Sequence, residues 1–125
     1  MITVFPEKDK KIIGEHFEKA GLTATEQSKA VTAKLDGEPI GYCIFEIKDG
    51  TVTVFDIEPK DDIMLADGIL RSALHVAAER FVFRAEYKEG PIEELLEKIA
   101  FIKDKSEHTV DMDKLFGGCC CGEKT

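Results

Sequence analysis

Three adjacent thiols, Cys119, Cys120 and Cys121, stand between glycines near the end of this 125-residue chain. Thiols at alternate positions can approach one soft metal ion, and Cys119 and Cys121 are the pair so spaced, with zinc or copper as the expected ion. Four-coordinate zinc needs more ligands, which would have to come from His108, Cys43 or a second subunit. The same thiols could exchange as a redox pair or form no more than a reducible tail. A different chemistry is offered by TVTVFDIEPKDDIMLADGILRSALHVAAERF, residues 51–81, where an alternating strand gives way to an acidic loop and then a long helix. A strand feeding a loop that opens a helix presents unpaired backbone N–H groups and the positive end of a dipole at the strand's C-terminal edge, where anions bind. A plain crossover helix covering a sheet is the alternative reading of that pattern. His16 falls on or beside an apolar helical face and is expected to be a packed, hydrogen-bonded histidine with no chemistry.

The elements that position these residues follow from periodicity. Val52 and Val54 alternate with threonines, but Phe55 and Ile57 continue the apolar positions in the opposite phase, which predicts a bulge or two-sided burial. Pro59 cannot donate to a ladder, so the strand ends there and a loop runs from Lys60 to Leu65. Ala66, Ile69, Leu70, Ala73, Leu74, Ala77 and Phe81 then mark one face of a helix, with Asp67, Arg71, Ser72 and His75 opposite. Upstream, Ile2 to Phe5 reads as a first strand and Ile12 to Ala20 as an amphipathic helix stopped at Gly21, with Leu22 packing back over its end. SKAVTAKL, residues 28–35, reads as a second strand, and Asp36-Gly37 and Asp49-Gly50 supply hairpin turns on either side of a third. Tyr42 and Ile44 share one face of that strand; Gly41, Cys43 and Phe45 share the other. Downstream, Val82 to Tyr87 predicts a strand parallel to the bulged one, joined by a right-handed crossover, so the sheet must be mixed. Gly90-Pro91 opens a helix burying Ile92, Leu95, Leu96 and Ile99, a charged turn follows at Lys103 to Glu107, and His108 to Phe116 is expected to be a last strand.

Composition restricts the function classes. Lys and Arg number 17 against 25 Asp and Glu, a formal charge of −8 that repels nucleic-acid phosphates and anionic membrane surfaces. The start MITVFPEKDKK carries no leader pattern and no run approaches a membrane span, so a cytoplasmic protein is expected. Four cysteines, three of them crowded together, make no disulfide framework. One α/β domain over residues 1–116, followed by a flexible Cys-rich tail over 117–125, is the expected organisation.

This order of elements resembles the GNAT acetyltransferase superfamily over nearly the whole chain up to Phe116. EPIGYCIFEIKDGTVTVFDIEP is similar to the family's central hairpin, and ELLEKIAF to its closing helix phrase. The resemblance implies a GNAT-like mixed sheet flanked by helices. It also implies acetyl-coenzyme A in an opening beside the bulged strand, held near Phe55, Asp56 and Ile57, with the pyrophosphate at the helix start formed by Ala66, Asp67 and Gly68. The family's loop pattern, Gln or Arg, two residues, Gly, one residue, Gly or Ala, falls on Asp61, Met64 and Ala66, of which only Ala66 conforms. Asp61 and Asp62 are expected to be loop carboxylates that pair with nothing. Where many members place a tyrosine as acid, this chain has Leu96, so Tyr87 becomes the candidate acid and Glu58 the candidate base.

The reading is a divergent acetyl-CoA-dependent N-acetyltransferase with a degenerate pyrophosphate loop and an unknown small-molecule or peptide amine acceptor. No nucleic acid and no membrane is expected as partner, and a homodimer is left open. A catalytically degenerate binding or regulatory module, and a thiol or soft-metal protein built on the tail, are the alternatives.

Overall fold

A computed structural model describes residues 1–117. The thiol cluster Cys119 to Cys121 lies outside the described residues. A seven-stranded mixed sheet, in the order β1-β2-β3-β4-β5-β7-β6, forms the framework. Its strands are β1 (Ile2–Pro6), β2 (Ser28–Leu35), β3 (Glu38–Lys48), β4 (Thr51–Glu58), β5 (Arg84–Tyr87), β6 (Ile102–Asp104) and β7 (Thr109–Val110). The helices are α1 (Lys10–Lys19), α2 (Ile63–Glu79), α3 (Ile92–Lys98) and α4 (Asp113–Gly117). The first four strands pair antiparallel, β4 and β5 pair parallel across α2, and β5, β7 and β6 pair antiparallel. This is the single mixed α/β domain that the sequence implied. No helix among the described residues is long and apolar enough to cross a membrane.

Two apolar layers hold the sheet. The larger joins it to α2 and α3: Ala66, Ile69, Leu70, Ala73, Leu74 and Ala77 are fully buried against Cys43, Phe45, Val52, Val54 and Ile57, with Ile92, Leu95 and Leu96 beside them. The smaller packs α1, through Ile13 and Phe17, on Ala30 and Ile44 of the opposite face. Asp36-Gly37 and Asp49-Gly50 adopt positive φ at both positions, as two-residue hairpin turns of the right twist demand.

Three expectations are corrected. The helix α2 begins at Ile63, not Ala66, because Asp62 caps it: the Leu65 N–H donates to Asp62 Oδ1 at 3.1 Å. Phe81 is not on the buried face but 87% exposed, since α2 stops at Glu79 and Phe81 itself takes positive φ. The segment His108 to Phe116 is not one strand. Only Thr109–Val110 pairs, after which the Asp111 N–H donates to the Phe101 carbonyl at 2.7 Å and α4 begins.

Candidate functional site

The site is built where β4 outruns its neighbour. β5 pairs with β4 only from Thr51↔Arg84 to Val54↔Tyr87, and the Lys88 N–H donates to the Val54 carbonyl at 2.9 Å before the chain turns away toward α3. The last four residues of β4, Phe55 to Glu58, therefore continue without a β5 partner. At this point the β3–β4 register slips: Ile44 faces Asp56 while Phe45 faces Val54, leaving Phe55 as the extra residue of a bulge. Ile57 thereby stays fully buried with Val52 and Val54, while Phe55 joins the α1 layer, edge-on to Phe17 with ring centroids 5.6 Å apart.

Asp56 and Glu58 stand opposite Ile44 and Tyr42, on the α1 face. Between them sits Lys60, unforeseen in the sequence, whose Nζ donates to Asp56 Oδ1 at 2.6 Å, Glu58 Oε2 at 2.8 Å and the Ile57 carbonyl at 3.1 Å. Burial opposes the Lys60 charge, but the two carboxylate hydrogen bonds outweigh it and hold the ammonium above its ordinary pKa. The strand end is thus a cage of three oxygens around one ammonium. Beside it the His16 and Tyr42 rings stack face to face, 3.8 Å apart and 9° from parallel. Burial raises the Tyr42 phenol, with Asp56 and Glu58 acting the same way, and burial lowers His16. His16 is not hydrogen-bonded as expected: its buried Nδ1 has no partner among the described residues. The facing of Tyr42 with Ile44 was legible in the alternation of β3; the stack with α1 had no local signal.

Tyr87 lies on the other face, 3% exposed among the α2 and α3 residues. Its Oη donates to Glu93 Oε2 at 2.5 Å and its ring meets His108 edge-on. Burial and the Glu93 carboxylate both raise its pKa, so the phenol keeps its proton at neutral pH. Glu58 and Tyr87 are therefore separated by the sheet. Ala66 is fully buried and its N–H already serves the helix, donating to the Asp62 carbonyl at 2.9 Å. Asp67 accepts from Arg71 Nε at 3.0 Å, and a Cβ at Gly68 would meet open space. The glycine that the site requires is Gly41, where a Cβ would come within 2.6 Å of the Glu58 carbonyl, 2.8 Å of Ile69 and 2.9 Å of Pro59.

Among the described residues no group of His, Cys, Asp and Glu is arranged to hold a metal. For acetyl-CoA the fit is divided. The unpartnered end of β4 offers backbone groups to an extended ligand, but the helix N-terminus that would face a pyrophosphate already holds the Asp62 carboxylate, with Asp61 exposed next to it.

No protein-family model and no curated protein sequence matches the chain. Solved structures do match. A ribosomal-protein-alanine N-acetyltransferase from Brucella melitensis biovar Abortus 2308 superposes with a TM-score of 0.59 at 14% identity, covering 79% of this chain and 90% of that one. A candidate GNAT-family acetyltransferase from Desulfovibrio desulfuricans gives 0.58 at 12% identity, covering 78% and 83%. The PaiA N-acetyltransferase from Thermoplasma acidophilum, solved with coenzyme A, gives 0.53 at 11% identity, covering 81% and 67%. The chain has the GNAT acetyltransferase fold.

Proposed function

We propose that the chain is a GNAT-like N-acetyltransferase that moves an acetyl group from acetyl-CoA to a small-molecule or peptide amine. The observation that carries this reading is the parting of β4 from β5 after Val54 and Tyr87, with the bulge at Phe55 beside it. When bound, acetyl-CoA supplies a thioester, an acyl carbon open to attack by an amine. Backbone groups of Phe55, Asp56 and Ile57 orient that carbonyl, and positioning of this kind asks little of side chains. On the α1 face, Asp56 and Glu58 attract the acceptor's ammonium in the place that Lys60 occupies. Glu58, the more exposed of the two carboxylates, takes the proton that the amine must lose before it can react. Tyr87 Oη donates to Glu93 on the other face of the sheet, so the departing sulfur takes its proton from solvent rather than from Tyr87.

One observation favours a catalytically degenerate binding module instead: Asp62 spends an amide of α2 on its own carboxylate and places a negative charge where a pyrophosphate would lie. The two readings separate in one experiment. Thiol release from acetyl-CoA is followed with a polyamine, an aminoglycoside and an N-terminal peptide as acceptors, beside thermal melts with acetyl-CoA. Acetyl-CoA at about a hundred times its dissociation constant should stabilise the fold by roughly 2.7 kcal/mol. Deleting Phe55 keeps Val52, Val54 and Ile57 facing inward while removing the bulge, so the deletion variant should fold yet lose both shift and turnover. A melt shift with turnover supports the transferase, and the absence of both effects at millimolar acetyl-CoA supports the binding module.

A further inference from the structure

At the end of the sheet remote from Glu58, the first residues of β2 lack a strand partner on one side. β1 pairs only with Val31 to Leu35, and the Glu7 N–H makes one last bond to the Ala30 carbonyl before the chain leaves for α1. A cavity of about 460 Å³ opens there between the two loops flanking α1 and the last turns of α2. Its apolar lining comes from both layers: Ile13 and Ala30 from one, Phe45 and Val76 from the other. Cavities of this size take small organic molecules.

The charges around it reverse the sign of the protein. Lys8, Lys10, Lys29 and Arg80 line the cavity against two carboxylates, Glu7 and Glu26, in a chain whose formal charge is −8. None of the four cations forms an ion pair among the described residues. Glu7 is otherwise engaged, accepting from Thr32 Oγ1 at 2.8 Å and from the Asp9 N–H at 3.2 Å. Lys29 is half-buried on β2 opposite Phe45. Burial pushes its ammonium below the ordinary value, and the charges of Arg80 and Lys10 push the same way. Like charges gathered at a desolvated surface repel unless an anion lies between them.

We propose that this cavity binds a small organic anion, a carboxylate or phosphate head on an apolar body. The head lies among Lys10, Lys29 and Arg80, and the body lies against Ile13, Ala30, Phe45 and Val76. The 17 residues of α2 separate Arg80 from Asp62, roughly 25 Å of helix, so such a ligand does not compete for the β4 end and the proposal does not rest on acetyl transfer.

The test titrates the full chain with octanoate, octyl phosphate, 1-octanol and octylammonium at low salt, reading methyl shifts of Ile13, Ala30 and Val76 by NMR. At least one anion should bind about tenfold more tightly than the alcohol or the amine, the better anion identifying the head group, and added salt should weaken it. In a Lys29→Gln/Arg80→Gln variant the preference should vanish while the unfolding midpoint holds, since neither side chain forms an ion pair among the described residues. Octanoate and octyl phosphate binding no better than octanol, or anion binding unchanged in the double variant, overturns the proposal.

Discussion

Changing Asp62 to Asn and to Ala should move stability and acetyl-CoA affinity in different proportions. Asp62 Oδ1 accepts from the Leu65 N–H at 3.1 Å, and α2 starts at the next residue, Ile63. Asn keeps an oxygen at that position and Ala does not, and loss of such a cap costs about 1 kcal/mol. In a chain of this length that is a fall of roughly 3–5 °C in melting temperature. Asp62→Asn gives up only the interaction of the charge with the helix dipole, about 0.3–1 kcal/mol, and should fall less. Affinity responds to charge alone. A phosphate charge about 4 Å from a carboxylate is disfavoured by about 1 kcal/mol in water-like surroundings, a factor of about 5 in dissociation constant. Both variants should therefore bind acetyl-CoA more tightly by about that factor, and Asp61→Asn should gain affinity with no change in ligand-free stability, because Asp61 is exposed and outside the cap. Ligand-free melts and calorimetric titration at low ionic strength measure the two quantities separately. If Asp62→Ala melts with the wild type, the cap carries no stability; if neither Asn variant tightens binding, the pyrophosphate does not lie at the start of α2.

Two further perturbations follow from the packing around the site. Gly41→Ala forces a methyl to within 2.6 Å of a carbonyl and 2.9 Å of a proline ring, so it should cost roughly 1–3 kcal/mol in denaturant unfolding. Gly14→Ala and Gly68→Ala, in helices with open space at the new Cβ, should each gain about 1 kcal/mol, and a loss at all three positions would contradict the glycine geometry. His16 has a folded-state pKa lowered from 6.5, chiefly by burial, so its contribution to stability is complete above 6.5 and is lost as pH falls through the lowered value. His16→Phe preserves a ring over Tyr42 without the titration, and its unfolding midpoint should fall less than that of the wild type between about pH 7.5 and about pH 5. Equal falls would show that His16 is not the titrating group.

What could be read in advance divides along physical lines. Hairpin turns were legible because Asp-Gly pairs serve positive φ at low cost, and the face of α2 because its six inner residues are fully buried. The start of α2 was not, because periodicity records burial. Ile63 and Met64 in the first turn are 43% and 87% exposed, so their apolar character says nothing about a helix, and the signal lay in the capping chemistry of Asp62. Phe81 misled in the opposite direction, since it continues the spacing after the backbone has left the helix. Lys60 was invisible for a third reason: its partners lie two, three and four residues back along a strand and around a proline, a geometry that no simple period describes.

The bulge was legible because without it the strand cannot bury its apolar residues. Were β4 to alternate regularly from Val52 and Val54, the next inward positions would be Asp56 and Glu58, and Ile57 would face the α1 layer. Burying two carboxylates without partners costs several kcal/mol each, whereas one extra residue costs a local break in the ladder. With Phe55 inserted, Ile57 returns to the main core and both carboxylates emerge on the α1 face, where Lys60 meets them. The constraint that makes the strand stable is therefore the same one that composes the candidate site. A substitution pattern that preserved the core of β4 while removing its carboxylates would keep the fold and abolish the cage, and for that reason the fold alone does not identify the acceptor.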